Sequence, residues 1–518
     1  MLLSKGVASS LRGACDRRKV TLLKGRLSLL SLAAFFFCLN ACANAAPLAK
    51  NIILFIGDGM GPGQLGCLLN HKRLTNKGQT NIEKFLREGT SGLVLTSPLD
   101  GFVTDSAAAG TAIACGRKTL PGMIGVDCQG RKLESILQRA KKLGKSTGLI
   151  STIRVTDATP ASFGAHIHSR YLQRKIANQL VELEIDVLLS GGARYFTPEG
   201  TNLKDTYPDL YIGDSYFLKS NRRDKRDLIA EAREKGYTTV LSGPSFRSND
   251  YGHVDKLLGL FASDALPYRI DVINKKLDIP SLKEMTDQAL KVLAKNKDGF
   301  FLMVEGAKID WACHANDAAT LLHEMEEFDQ ALASGLDFVK DRDDTMLIMM
   351  ADHETGGFGF SYKKLKRKAA TYPLVTQERY EEYLDHLNKK TVMQIERQTA
   401  SFAEILQEAG DSKEKLVALV EKHLNIKLSP QAARRIMLTD EGTGRQKIDD
   451  FSDFYPYRRN VRPALLARAL AHRTGVVWST GTHTSTPIVI IAKGPKEEKF
   501  KGVLHHVDVA KNMFSLFE

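Results

Sequence analysis

The sequence pairs carboxylates with imidazoles at spacings that suit a metal ion. Asp310 and His314 are four residues apart, so in a helix both side chains lie on one face and can chelate a single cation. A surface salt bridge is the alternative interpretation of that pair. Asp352 and His353 directly follow the apolar run 345–351, where a charged pair needs either a metal ion or a buried basic partner. Both pairs are therefore candidate metal ligands.

Three further residues have suitable chemistry in weaker local patterns. Asp58 ends an apolar run and is surrounded by glycines in the stretch 56–61, which also fits an acidic turn. Ser106 precedes the small-residue stretch 107–114, at a helix N-terminus that favours an anion; a capping serine would occupy the same position. His483 is a lone histidine that also fits a structural role. Together with the two pairs, these residues supply the oxygen and nitrogen ligands that zinc and magnesium prefer.

Apolar runs that alternate with amphipathic helices must position these side chains. Continuous apolar runs indicate strands buried on both faces, and the alternation is typical of βαβ units. We therefore predict an α/β fold with a doubly wound, largely parallel central sheet flanked by helices. The predicted strands are 51–56, 92–96, 146–152, 186–190, 238–241, 257–261, 299–305, 345–351 and 487–492, and the predicted helices include 133–143, 170–183, 281–295 and 318–339.

The strand ends predict where the candidate residues meet. Parallel sheets of this kind bind ligands beyond the carboxyl ends of their strands. Asp58 follows the first predicted strand, Glu305 ends another, and Asp352 follows the next one along the chain. We expect these residues to converge on one edge of the sheet.

Two stretches interrupt the alternation of strands and helices. Residues 362–475 are rich in charged helical segments without a convincing core strand, and an apolar stripe at helical spacing runs through 416–424. The Ser-Pro pair at 429–430 is typical of a helix start. We predict that 362–475 is a helical insertion packed on the main sheet and that 200–255 holds a second, smaller insertion.

The first 45 residues are predicted to be an export signal. A basic segment precedes an apolar stretch, 27–39, that is short for a membrane span, and small residues follow it. Cleavage near Ala45 would release a soluble protein, whereas the residues before Cys42 resemble a bacterial lipobox that would lipidate it. We expect a periplasmic or extracellular protein, with membrane attachment only through such a lipid, and a folded domain spanning 46–518.

Export also changes what the net charge implies. Residues 1–45 contain seven Lys or Arg and one Asp, so their removal lowers the formal net charge of the 518-residue chain from +13 to +7. A residual +7 on so long a chain is weak evidence for nucleic acid binding, and we expect no nucleic acid partner.

Four cysteines remain after such processing: Cys67, Cys115, Cys128 and Cys313. They form no CxxC pattern, so a thiolate zinc site is not expected. In an oxidising compartment Cys115 and Cys128 could close a short loop, but their spacing alone leaves that disulfide open. Cys313 fits a small buried apolar residue.

The order of the motifs resembles that of the alkaline phosphatase family. The resemblance covers most of the chain from 51 to 495 outside the two insertions. Each motif is weak alone, but the ordered set leaves little room for chance. The matching stretches are 57–61 (GDGMG), 104–107 (TDSA), 157–160 (DATP) with 169–170 (SR), 304–306 (VEG), 310–314 (DWACH), 351–353 (ADH) and 481–484 (GTHT).

This resemblance implies a metal-dependent enzyme that hydrolyses small phosphate monoesters to alcohol and inorganic phosphate through a covalent phosphoserine. Ser106 would be the nucleophile, and Arg170 would bind the phosphate. The resemblance further implies two zinc ions, one magnesium ion and a homodimer. The first zinc would take Asp310, His314 and His483, the second Asp58, Asp352 and His353, and the magnesium Asp58, Thr159 and Glu305, with Asp157 holding its waters.

One pair of positions departs from the family's best-known bacterial member. That enzyme pairs a lysine with an aspartate at the place of Asp157, whereas this chain has Trp311 in place of the lysine. An aromatic residue there goes with histidine at the other position in other members. The mixture leaves phosphate affinity, pH optimum and the third metal open, and it makes Trp311 a candidate substrate-binding residue.

Other classes of protein fit these residues less well. A sulfatase needs proline and arginine soon after its nucleophile, and the stretch 106–110 lacks both. A cofactor-independent phosphoglycerate mutase would carry no export signal. A non-catalytic phosphate- or metal-binding protein would have no use for Ser106 as a nucleophile. A phosphodiesterase-like relative is not excluded by the sequence.

Overall fold

The computed structural model describes residues 49–364, 370–373, 375–376, 378–387, 389–438 and 449–518. The predicted export signal at 1–45, with Cys42, lies outside the described residues. Among the residues described, no helix is both long enough and apolar enough to cross a membrane.

Strands and helices alternate through most of the described chain. The strands are β1 (Asn51–Gly57), β2 (Thr90–Leu95), β3 (Ser146–Arg154), β4 (Val187–Gly191), β5 (Thr238–Val240), β6 (Leu257–Leu260), β7 (Phe300–Gly306), β8 (Thr345–Ala351), β9 (Glu354–Thr355), β10 (Phe358–Phe360), β11 (Lys363–Lys364), β12 (Ala370–Pro373), β13 (Arg379–Glu382), β14 (Leu384–Asp385), β15 (Val476–Trp478), β16 (His483–Thr484), β17 (Ile488–Lys493) and β18 (Gly502–His505). The α-helices are Pro62–Thr75, Asn81–Glu88, Ser106–Cys115, Ile136–Lys142, Ala158–Gly164, Gln173–Glu182, Leu203–Thr206, Leu228–Glu234, Gly243–Ser248, Arg269–Lys275, Leu282–Leu293, Lys308–His314, Ala318–Val339, Lys389–Glu396, Phe402–Ala409, Lys413–Leu424, Pro430–Met437, Arg458–Thr474 and His506–Leu516. Short 3-10 helices occupy Ala193–Tyr195, Ser215–Phe217, Tyr251–His253, Asp449–Phe454 and Glu497–Phe500.

A 10-stranded central sheet has the order β18-β2-β17-β8-β1-β7-β3-β4-β6-β5. Strand β17 is antiparallel to its neighbours β8 and β2, and the other neighbouring pairs are parallel. The predicted fold class and all the predicted strands are confirmed. Strand β18 was not predicted, because this edge strand is partly exposed and has no apolar run.

The middle of the sheet explains where the candidate residues converge. Strands β1, β7 and β8 are buried along their whole length and consist mostly of large apolar residues. Strand β1 pairs with β7 on one side and β8 on the other, in a register that sets Ile56 opposite both Glu305 and Met350. Asp58 and Asp352 therefore leave neighbouring strands at nearly the same level as Glu305.

The segment 362–475 contributes no strand to the central sheet in its described part, as predicted. Its helices between 402 and 474 enclose an apolar cluster of their own, separate from the main core. Ser429 caps the helix that starts at Pro430, which confirms that predicted helix start. The antiparallel pair of β10 and β15 brings the chain on either side of the segment together.

The stretch 200–255 is partly integrated into the main fold. It contains short helices and also β5, which is the edge strand of the central sheet. Its description as an insertion stays a prediction.

The cysteines that follow the predicted export signal are free thiols. Cys115 is buried and Cys128 is exposed, so the disulfide that their spacing left open is not formed. Burial raises the pKa of Cys115 to about 12 and that of Cys313 well above its ordinary value. Both buried thiols are therefore unreactive, and Cys313 has the buried position expected for it.

Asp317 joins the helical segment to the main domain. Its buried carboxylate caps the helix Ala318–Val339 by accepting from Thr320 N and from the Thr320 hydroxyl. The same carboxylate accepts from Phe402 N at 2.7 Å and from Gln398 Nε2 at 2.9 Å. One side chain therefore satisfies donors from both parts of the molecule.

Replacing Asp317 with alanine should destabilise the protein. We expect the free energy of unfolding to fall by about 2–4 kcal/mol, since each buried donor left unsatisfied costs roughly 1–3 kcal/mol and part of that cost is relieved by water. Urea denaturation followed by circular dichroism measures the change. Asp343→Ala, at an exposed position, is the control; equal stability of the two variants would contradict the joining role of Asp317.

Candidate active site

Ser106 is the first residue of a buried helix of small side chains. Asp105 is the N-cap of this helix, and its carboxylate accepts from Ala108 N at 3.0 Å. The capping role that the sequence left open for Ser106 therefore belongs to Asp105. The Ser106 hydroxyl points inward instead, with its Oγ 3.2 Å from His353 Nε2.

Arg170 is held beside Ser106 by two carboxylates. Its Nη1 donates to Asp105 at 3.2 Å, and its Nη2 donates to Asp157 at 3.0 Å. Arg154 donates to the other oxygen of Asp157 at 2.5 Å. The guanidinium of Arg170 is thus fixed at two points, and among the described residues its remaining N–H groups have no hydrogen-bond partner, so they can bind a phosphate.

The first predicted ligand set comes together as a compact cluster. His314 Nε2 lies 3.2 Å from Asp310 Oδ2 and 3.2 Å from His483 Nε2. His483 Nε2 also lies 3.6 Å from Asp310 Oδ1. Three residues from two distant parts of the chain therefore aim ligand atoms at one point.

The second predicted set forms an adjacent cluster. His353 Nε2 lies 3.1 Å from Asp352 Oδ2 and 3.6 Å from Asp58 Oδ1. All three residues are buried. The rings of His353 and His483 stack with their centroids 3.6 Å apart, so the two clusters are side by side.

Hydrogen bonds decide which nitrogen of each imidazole faces the first cluster. Nδ1 of His314 lies 2.6 Å from the carbonyl oxygen of Gly481, and Nδ1 of His483 lies 2.8 Å from that of Thr104. A carbonyl oxygen only accepts, so each Nδ1 carries a proton and donates it. In the neutral rings each Nε2 then presents a lone pair to the cluster, as metal-binding histidines do.

Thr355 connects the two clusters. Its hydroxyl donates to Asp310 Oδ1 at 2.6 Å and lies 3.2 Å from His353 Nδ1. Because its one proton goes to the carboxylate, its oxygen accepts from His353 Nδ1 and turns the Nε2 of that ring toward its own cluster. Gly59 permits this packing, since it has a φ of 74° and a Cβ there would lie 2.9 Å from Thr355 Oγ1.

Glu305 and Thr159 form a third group beside the second cluster. Glu305 Oε2 accepts from Ser151 Oγ at 2.5 Å, and the hydroxyls of Ser151 and Thr159 both favour its ionised form. Asp157, by contrast, has both oxygens engaged by Arg154 and Arg170. The structure places Glu305 and Thr159 together and turns Asp157 toward the arginines.

The environments separate the carboxylates into two kinds. Burial, with Asp352 and Asp310 nearby, raises the pKa of Asp58 well above its ordinary value. Burial also raises the pKa of Glu305 to about 8. Burial opposes ionisation of Asp157 as well, but its arginine partners outweigh that effect and lower its pKa. Asp157 is therefore ionised by the protein itself, whereas Asp58 and Glu305 need another cation.

Buried ligand atoms without partners fit such cations. Within the described chain, Asp58 Oδ1, Glu305 Oε1 and Asp352 Oδ2 have no hydrogen-bond partner although all three are buried. Carboxylate oxygens and imidazole lone pairs that face one another repel unless a positive charge lies between them. Oxygen and nitrogen donors of this kind suit zinc and magnesium.

The alkaline phosphatase family model matches residues 49–518. Alkaline phosphatase 4 of Bacillus subtilis is 32% identical over 483 residues, which cover 90% of this chain and 89% of that protein. The chain belongs to the alkaline phosphatase family. It is a metal-dependent enzyme that hydrolyses phosphate monoesters to alcohol and inorganic phosphate, and a covalent phosphoserine is typical of the family.

Solved structures of other alkaline phosphatases share its fold. That of Thermus thermophilus has a TM-score of 0.74 at 28% identity, with 90% of this chain and 91% of that chain covered. A variant of the enzyme from the Antarctic bacterium TAB5, described as having Mg bound in the M3 site, has a TM-score of 0.58 at 26% identity. The match covers 91% of this chain and 98% of the TAB5 chain.

The phosphatase pocket that contains Ser106 and Arg170 has a volume of about 460 Å³. Its lining includes Trp311 and two residues of the helical segment, Tyr457 and Arg459. A larger, more open cavity of about 1150 Å³ elsewhere on the phosphatase is lined by none of the cluster residues. The chemistry is therefore assigned to the smaller pocket.

Arg154 changes the interpretation of the Asp157 and Trp311 pair. Its guanidinium donates to Asp157 and also lies 5.5 Å from the centroid of the Trp311 ring, so it stands between the two. The sequence analysis missed Arg154, although its position at the end of a buried strand was a usable signal. It also missed Thr355, for which no local pattern exists.

Thr355→Val should weaken metal retention by the phosphatase about 10- to 100-fold, because hydrogen bonds to ligating groups orient them. Thr355→Ser keeps the hydroxyl and should retain metal almost as well as the unchanged enzyme. Metal content after dialysis against graded chelator, measured by plasma emission spectroscopy, tests this. Equal metal loss in both variants and the unchanged enzyme would show that Thr355 does not position the ligands.

Proposed function

We propose that this alkaline phosphatase uses two zinc ions and one magnesium ion around Ser106. The main support for this proposal is the position of Ser106 Oγ, which lies 3.2 Å from His353 Nε2. The ring of His353 in one cluster stacks on the ring of His483 in the other, so Ser106 lies beside both clusters. We assign Asp310, His314 and His483 to one zinc, Asp58, Asp352 and His353 to the other, and Asp58, Thr159 and Glu305 to magnesium, with Asp157 acting through water.

The kinds of ligand support this distribution of metals. The first two groups include imidazoles, which zinc accepts readily, whereas the group around Glu305 offers only oxygen atoms, as magnesium prefers. The related TAB5 enzyme variant is described with Mg bound in its M3 site. We therefore propose magnesium for the third group.

The residues of this chain position the phosphate for in-line attack. Arg170, fixed by Asp105 and Asp157, donates to phosphoryl oxygens, and the helix N-terminus at Ser106 favours the negative charge. Ser106 Oγ loses its proton and forms a bond to phosphorus as the bond to the alcohol oxygen breaks, and that oxygen takes up a proton. A water molecule then loses a proton and its oxygen bonds to phosphorus as the bond from phosphorus to Oγ breaks. Oγ takes up a proton, so inorganic phosphate is released and the serine is restored.

When bound, zinc supplies Lewis acidity that lowers the pKa of a hydroxyl and stabilises charge on attacking and leaving oxygens. Trp311 is proposed to contact the alcohol part of the substrate, since it lines the same pocket.

Ser106→Ala should lower the hydrolysis of 4-nitrophenyl phosphate by roughly a thousandfold or more, because no oxygen is left to form the covalent intermediate. Acid quenching during turnover, followed by mass spectrometry, should find phosphate on Ser106 in the unchanged enzyme. Ser215→Ala, at an exposed serine, is the control. Full activity of Ser106→Ala would overturn the assignment of the nucleophile.

The metal assignment has a separate test. Enzyme stripped by chelator should lose activity and recover it with zinc and magnesium together. Failure of the two metals to restore activity would overturn the assignment.

We further propose that the chain is exported to the periplasm or the cell exterior and acts as a homodimer. The basic, apolar and small-residue segments within 1–45 support export. Phe102 is 86% exposed, and Tyr171, which lines the pocket, is 84% exposed; large exposed aromatics support an interface.

Expression in a bacterial host tests both statements. Mass spectrometry of the mature N-terminus should show either cleavage near Ala45 or a lipid on Cys42. Light scattering should give twice the mass of the chain. An uncleaved cytoplasmic product would contradict export, and a monomer would contradict the dimer.

A further inference from the structure

The helical segment 362–475 reaches into the catalytic pocket. The ring of Tyr457 contacts that of His314 edge-on, with 4.8 Å between centroids. Arg459 lies two residues further on and places its guanidinium 4.8 Å from the centroid of the Trp311 ring. Both side chains line the pocket that contains Ser106, so an element outside the matching motifs shapes the space for the substrate.

Arg459 differs from the other arginines of the pocket in its lack of a carboxylate partner. Arg154 and Arg170 are each neutralised by two aspartates. Among the described residues, no carboxylate oxygen lies within 4.0 Å of the Arg459 guanidinium, and the residue is exposed. Its positive charge is therefore available to an anion that enters the pocket.

The surroundings of Trp311 favour an anionic group over an aromatic one. Three cationic groups lie close to its ring: Lys308 Nζ at 4.4 Å from the centroid, Arg459 at 4.8 Å and Arg154 at 5.5 Å. An aromatic leaving group that stacked on the indole would have to displace cations from it. An anionic group beside the ring would instead meet the unpaired charge of Arg459.

Burial sets the direction in which a substrate lies. Ser106 is only 3% exposed, whereas Arg459 is exposed at the rim. A monoester with its phosphate at Ser106 and Arg170 must therefore direct its alcohol part outward, past Trp311 and toward Arg459.

We propose that this enzyme prefers phosphate monoesters whose alcohol part carries a second anionic group, a carboxylate or another phosphate, and that Arg459 recognises that group. The proposal rests on the proposed function, because the reacting phosphate must be held at Ser106. Arg459 is then a specificity-determining residue that contacts the far end of the substrate.

Two matched substrates isolate the distal charge. 4-Carboxyphenyl phosphate and 4-carbamoylphenyl phosphate have nearly the same size, but only the first carries a distal anion. The measured quantity is the ratio of their kcat/KM values in each variant relative to the unchanged enzyme, which cancels the different reactivity of the two leaving groups.

Arg459→Gln should lower this acid-to-amide ratio about three- to tenfold, a modest effect because an exposed ion pair is worth little in water. Arg459→Lys should keep most of the preference, since it keeps the charge. High salt should shrink the difference between the unchanged enzyme and Arg459→Gln, because exposed charges are screened.

Arg473→Gln is the matched control, because it removes the same charge from the far end of the same helix. It should leave the ratio and the hydrolysis of both substrates unchanged within twofold. An unchanged ratio in Arg459→Gln, or an equal fall in both variants, would overturn the role of Arg459 while Ser106-dependent hydrolysis persists. Failure of the unchanged enzyme to hydrolyse either substrate would instead count against the proposed function.

Discussion

Asp58, Glu305 and Asp352 lie at the ends of three neighbouring strands. Burial and the neighbouring carboxylates raise the pKa of Asp58 and Glu305, whereas His353 outweighs burial at Asp352 and lowers its pKa. Bound divalent cations would remove the penalty at Asp58 and Glu305, because they would neutralise the carboxylates and use the oxygens that lack hydrogen-bond partners among the described residues. At Asp157 the protein achieves the same result with arginines. Arginines stabilise the ionised form of one buried carboxylate at this edge, and metal ions would stabilise the others. Metal binding should therefore be coupled to the stability of this edge.

Orientation of the imidazoles depends on the backbone around them. The carbonyl oxygens of Thr104 and Gly481 accept hydrogen bonds from the Nδ1–H groups of His483 and His314, which leaves the Nε2 atoms facing inward. Thr355 does the same for the third ring and ties the two clusters together. Ligands held in this way need little rearrangement when metal or phosphate arrives, which is how preorganised sites lower a barrier.

The helical segment is attached where it can influence the pocket. Asp317 accepts from Phe402 N and Asp271 accepts from Ser401 N at 2.8 Å, so the start of one helix of the segment is fixed to two buried carboxylates of the main domain. A later helix of the same segment then supplies Arg459 to the pocket. In our proposal, the main domain holds the catalytic residues and the helical segment contributes to the selection of substrates.

The sequence by itself determined nine of the ten strands of the central sheet, the fold class and the family, because buried strands require apolar runs and the ordered motifs leave little room for chance. It could not determine contacts between distant positions. Asp105 rather than Ser106 caps the helix, Arg154 stands between Asp157 and its expected counterpart, and a helix of the segment 362–475 lines the pocket. These features depend on how loops and helices pack in space, which no local periodicity encodes. Only the tertiary structure decided them.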